Sequence, residues 1–128
     1  MTSVPYQYVV MRLVPRVDRE EFVNVGVVVY SQEADYLDGA FHLDAARVAA
    51  LAPGLDLDEV RAALESVCRL ARGERKPGAP RLGRLGPRFG WISAPRSTIL
   101  QPGPVHGGQT GDPARTLGHL VERLVLPV

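Results

Sequence analysis

Two stretches decide the fold: residues 6–14, YQYVVMRLV, and residues 22–30, FVNVGVVVY. Both are rich in β-branched and aromatic residues and too short for core helices, so both read as strands. A third run, residues 36–43 (YLDGAFHL), alternates less cleanly and reads as an outer strand. The links between the runs are far shorter than a parallel crossover requires, which predicts an antiparallel meander. Taken two apart, Val9, Met11 and Leu13 with Val23, Val25, Val27 and Val29 form an apolar set that should meet the helices. Tyr8, Arg12, Asn24, Gly26 and Tyr30 form a mixed set for the other face. If the hairpin turns near Asp18, Arg12 faces Asn24 and Val10 faces Gly26 across the pair.

Helices follow. Asp44 and Asp56 can each accept bonds from the free N–H groups of a first turn. Leu57, Val60, Leu64, Val67 and Ala71 recur at helical spacing, and Pro53 with Gly54 separates this helix from the shorter one before it. Asp112 followed by Pro113 is the best helix start in the chain, with Leu117, Leu120, Val121, Leu124 and Val125 as its buried face. The expectation is a single α+β domain over residues 1–128. It has an antiparallel sheet of three to five strands and helices packed on one face. The open face would carry Arg12, Asn24 and the loop around Arg96.

Residues 73–90, GERKPGAPRLGRLGPRFG, are punctuated by Gly and Pro and read as an exposed basic loop. Residues 89–95 (FGWISAP) read as a short strand. Residues 97–111 read as a broken loop with one more short strand in STIL.

Composition prunes the function classes. Of 128 residues 45% are hydrophobic, which is ordinary for a globular chain, and the net charge of +1 argues against a global field for nucleic acid or anionic lipid. No apolar run could span a bilayer and the start MTSVPYQY is unlike a signal peptide, so no membrane association and a cytoplasmic location are expected. The single cysteine, Cys68, excludes an intrachain disulfide and falls on the buried stripe of a helix, where a thiol is inert. Lys76 is the one lysine among 15 cationic residues, an arginine bias typical of a GC-rich bacterial genome.

Two places can carry chemistry. One is the Arg12, Asn24 and Gly26 group, where a mid-strand guanidinium needs a partner that Glu20 or Glu21 could supply and Gly26 would admit a ligand or backbone closely. The other is the loop bearing Arg96, Ser97, Thr98, Gln101, His106 and Thr110, in which arginine beside hydroxyls suits phosphate or carboxylate and His106 suits acid–base work. The plainer reading of both is a solvated face and a rigid connection. Phosphate loops, dinucleotide fingerprints and zinc-protease motifs are missing, and His42, His106 and His119 are scattered, so neither a metal nor a cofactor is expected. Residues 69–88 hold seven basic side chains against Glu74, a local excess of +6 that makes nucleic acid a further possibility, without the interleaved aromatics that stack bases.

The ordered set YQYVVMRLVPR, REEFVNVGVVVY, APRSTILQPGPVH and the DPARTL helix start resembles, over nearly the full chain, a bacterial uncharacterised family, domain of unknown function number 3037. The family carries no assigned activity, so the resemblance transfers no catalytic residue. It implies that Arg12, Asn24, Gly26, Trp91, Arg96, Ser97, Gln101 and His106 belong to a shared pattern. Relatives encoded beside kinases of HipA type imply a partner protein. Three readings follow: a non-enzymatic accessory module engaging a protein partner, a second copy of itself or a small anionic ligand; an enzyme of phosphoryl or nucleotide chemistry using Arg12, Arg96 and His106; and a nucleic-acid binder acting through the basic loop.

Overall fold

The two valine-rich runs form long neighbouring strands, β1 (Val4–Leu13) and β2 (Val23–Ser31), and β3 (Tyr36–Phe41) continues the antiparallel meander. The computed structural model describes residues 2–74, 83–96 and 98–127. After the meander come α1 (Ala45–Leu51), α2 (Leu57–Arg72), α3 (Leu85–Ser93), β4 (Leu100–Pro102), β5 (His106–Thr110) and α4 (Pro113–Leu124). The sheet order is β3-β2-β1-β4, with β5 also on β1. Both short strands run antiparallel along one edge of β1, β5 against residues 4–8 and β4 against residues 11–13. They act as one edge strand interrupted at Gly103, Pro104 and Val105.

Helices α1, α2 and α4 start where their capping side chains stand. Asp44 and Asp56 each accept two backbone N–H groups of the following turn, and Asp112 accepts the N–H of Arg115. Gly73 ends α2 in a left-handed conformation (φ 82°) that glycine adopts without strain.

Arg12 does pair with Asn24, but Met11 faces Gly26 and Val10 faces Val27. The difference from the expected register is a bulge in β2, where Val25 is the extra residue. The bulge shifts the alternation by one. Val23, Val25, Val28 and Tyr30 meet Val9, Met11 and Leu13 on one face, under Val48 of α1, Val60 and Leu64 of α2 and Phe89 and Ile92 of α3. Val27 and Val29 turn to the other face and pack with Leu117 and Val125 under α4.

The helices therefore cover both faces of the sheet, not one. The reason lies in β2, whose residues 25–29 are all buried, so neither of its sides could stay in water. Gly26 belongs to the α2 side. A Cβ built there would stand 3.0 Å from the Ala40 carbonyl oxygen, so glycine serves the close approach of β3 and not of a ligand. Tyr30 is also on that side, stacked on Phe89 at 5.1 Å.

Two expectations for the middle of the chain are corrected. Residues 75–82 of the basic loop lie outside the described residues, but from Leu85 the chain is helical, and residues 89–93 of the expected strand FGWISAP are its second half. Leu85, Phe89 and Ile92 recur at helical spacing and pack on the core. Pro87 falls in the first turn, where its missing N–H costs no helical bond. The short strand expected in STIL begins at Leu100 and runs to Pro102.

Leu64 is 1% exposed at the centre of the α2 side, so Leu64→Ala should lower unfolding free energy by about 2–5 kcal/mol in urea titrations. Burial pushes the Cys68 thiol up to about 11 from an ordinary value near 9. Below pH 9 the thiol is protonated in both folded and unfolded chains. Between 9 and 11 the unfolded chain gives up the proton while the folded one keeps it, so stability should fall as pH rises, by at most roughly 2–3 kcal/mol. Comparing urea midpoints of the natural chain and Cys68→Ala at pH 8 and pH 10.5 isolates this slope, which the variant should lack.

Candidate functional site

Helix α4 packs on β2 and β3, which leaves the same face of β1 and its edge partners without a helical cover. Alternation places Tyr6, Tyr8, Val10 and Arg12 of β1 on that open half. The register adds Gln101 beside Arg12, His106 beside Tyr8 and Gly108 beside Tyr6. Asn24, Arg12 and Gln101 thus form one cross-strand row, and His106 stands four residues further along β1, roughly 13 Å away at about 3.3 Å per residue.

Arg12 is the central feature. Its guanidinium carbon lies 4.2 Å from the centre of the half-exposed Phe22 ring. A Cβ built on Gly103 would sit 3.1 to 3.3 Å from its Nε, Cζ and Nη2 atoms, so the Gly103 backbone packs against the flat of the group. Gly103 is itself pinned by its N–H donating to the Val10 carbonyl at 2.7 Å. Among the described residues the buried Nε has no hydrogen-bond partner and no carboxylate lies within 4 Å of the guanidinium. Neither expected partner forms an ion pair with it. Glu21 pairs with Arg19, and Glu20 ends a short 3-10 turn in a left-handed conformation (φ 56°).

Arg12 opens onto a cleft of about 480 Å3 walled by Ser93, Pro95, Pro102, Gly103, Pro104 and Val105. Among the described residues no acidic side chain lines it, and Val105 and Phe22 stand exposed beside it.

The other expected residues divide. Asn24 donates to the Leu124 carbonyl at 3.1 Å, which ties the end of α4 to β2. Gln101 curls back to the Thr98 carbonyl at 2.7 Å. Arg96 donates to the carbonyls of Trp91 and Ala94 and lies over the Trp91 ring, 5.7 Å from its centre, so it caps the C-terminus of α3. His106 is exposed and stacked on Tyr8 at 5.2 Å, with Tyr6 stacked beyond at 6.2 Å. Ser97 lies outside the described residues. Arg12, Asn24 and Gln101 are brought together; Arg96, His106 and Gly26 are not part of that group.

This arrangement can hold an anion beside an apolar surface. Among the described cleft residues the one side-chain hydroxyl, that of Ser93, donates to the Gly90 carbonyl at 3.4 Å. Among the described residues no three His, Cys, Asp or Glu side chains gather as metal ligands, and no helix is long and apolar enough to cross a membrane. Phe22 and Gly103 were not legible as site residues. The signal for Gly103 was its place between two prolines, and for Phe22 its position at the mouth of the hairpin.

No curated protein and no solved structure matches the chain. The model of one family, described as a protein of unknown function (DUF3037), matches residues 8–125. That span includes the whole Arg12 row and its cleft, and the chain therefore belongs to the DUF3037 family.

Proposed function

We propose that this protein is a non-enzymatic binding module that engages a protein partner or a small anionic ligand through Arg12 and the open half of the sheet. The observation that carries the reading is a guanidinium fixed by Phe22 and Gly103, without a carboxylate within 4 Å among the described residues, at the edge of a cleft with no acidic lining. Holding a partly desolvated cation without an ion pair costs free energy, which the ring contact offsets only in part, at about 0.5–2 kcal/mol. An incoming anion would supply the missing partner.

The reading as an enzyme of phosphoryl or nucleotide chemistry has less support, since it needs Arg12, Arg96 and His106 together, whereas Arg96 is engaged with the Trp91 and Ala94 carbonyls and His106 pairs four residues along β1 from Arg12. The nucleic-acid reading leans on a basic run of which residues 75–82 lie outside the described residues. Two of its described arginines are already engaged, Arg72 with Asp38 and Glu74 and Arg88 with the carbonyls of Gly83 and Ala71. A kinase of HipA type is the protein partner that the family resemblance would put forward first.

The test is co-purification from the native host with tagged natural chain, Arg12→Glu and, as a control on the opposite side, Arg61→Glu. A stoichiometric partner or ligand should accompany the natural chain and Arg61→Glu, and fall at least tenfold with Arg12→Glu while its melting temperature stays within a few degrees. Equal recovery with all three chains would contradict the proposal.

A further inference from the structure

Resting on that reading, we infer that the Arg12 cleft takes an extended acidic peptide segment of a partner protein, with a side-chain carboxylate on the Arg12 guanidinium and a neighbouring apolar residue against Pro104 and Val105. Four observations converge on this ligand.

The first is charge. Among the described residues Arg12 is the one cation lining the cleft, and no carboxylate lines it. One guanidinium balances one carboxylate, whereas phosphorylated motifs are typically held by clusters of arginine. The second is shape. Phe22, its ring centre 4.2 Å from the guanidinium carbon, and Gly103 hold the group in place, and its planar fork of donors matches a planar acceptor such as a carboxylate.

The third is the wall. Pro95, Pro102 and Pro104 have no N–H, so at these positions an incoming chain finds no donor and cannot extend the sheet by regular strand pairing. It would instead lie across the prolines in an extended conformation, held by side chains. The fourth is the rim, where Phe22 (44% exposed) and Val105 (46% exposed) offer apolar surface directly beside the cation. A cleft of about 480 Å3 falls in the size range of small-ligand sites and admits a few side chains, not a folded domain.

The experiment uses the full chain labelled with 15N. It is titrated with a pool of end-blocked octapeptides carrying Asp or Glu at the centre and apolar residues or proline around it. A matching pool carries Asn or Gln, and inorganic phosphate is a third probe. The acidic pool should shift the Arg12 Nε–Hε signal and the Gly103 and Val105 amides saturably. The amide pool should bind at least roughly tenfold more weakly, the difference a charged hydrogen bond makes. Arg12→Gln, shown folded by its amide spectrum, should abolish the response, and Gly103→Ala should weaken it by displacing the guanidinium.

No saturable shift at millimolar peptide, equal binding of both pools, or displacement of the acidic pool by phosphate at comparable concentration would each overturn the inference. The two proposals fail separately. If Arg12→Glu still loses a native partner while the acidic pool leaves Arg12 unmoved, the binding module stands and the acidic peptide falls.

Discussion

One inserted residue, Val25, governs the arrangement of this molecule. A strand with strict alternation would put Val23, Val25, Val27 and Val29 on one face, with Asn24, Gly26, Val28 and Tyr30 on the other. The bulge between Asn24 and Gly26 breaks that pattern, so β2 sends Val25 and Val28 toward α2 and Val27 and Val29 toward α4. A strand buried on both sides needs cover on both sides. The small α4 supplies the second cover, and because it centres on β2 and β3 it leaves the outer half of that face to β1, β4 and β5. The candidate site occupies the ground that α4 does not reach.

The same bulge sets the site's register. It lies between the Met11 and Arg12 pairs, so Arg12 faces Asn24 while the residues before it follow the shifted pairing. Asn24 then holds the last turn of α4 through the Leu124 carbonyl, which fixes where the helix stops. On the other flank, the break between β4 and β5 places Gly103 against the guanidinium and turns Pro104 and Val105 outward. Packing requirements of the core and placement of the cation are thus met by one irregularity in each neighbouring strand.

Much of this was legible in the sequence. The three strands of the meander, the Asp caps of α1, α2 and α4 and the Arg12–Asn24 pairing all follow from local rules with one physical cause each. What was hidden had competing causes. Gly86, Pro87 and Gly90 concealed α3, because the spacing of Leu85, Phe89 and Ile92 counts only once a core exists to receive it. HGGQT has poor strand propensity, and β5 forms because β1 offers an unpaired edge. With α3 unseen, Arg96 could not be recognised as its C-terminal cap and was free to look like a ligand-binding group. The two-sided burial of β2 was hidden because the length of the valine run fits strict alternation as well as a bulge. In the site, Arg12 and its row were readable from pairing, whereas Phe22 and Gly103 reach Arg12 only through the tertiary fold.

The central claim is that the bulge divides β2 between two helical layers and so leaves Arg12 on the open half. A methyl NOE experiment on the Val- and Leu-labelled chain tests it most directly. The account predicts contacts from Val27 and Val29 to Leu117 and Val125, and from Val25 and Val28 to the α2 layer around Val60 and Leu64. Contacts from all four odd-numbered valines of β2 to α2, with none to Leu117, would mean an unbroken strand under a single helical layer, and would contradict the account.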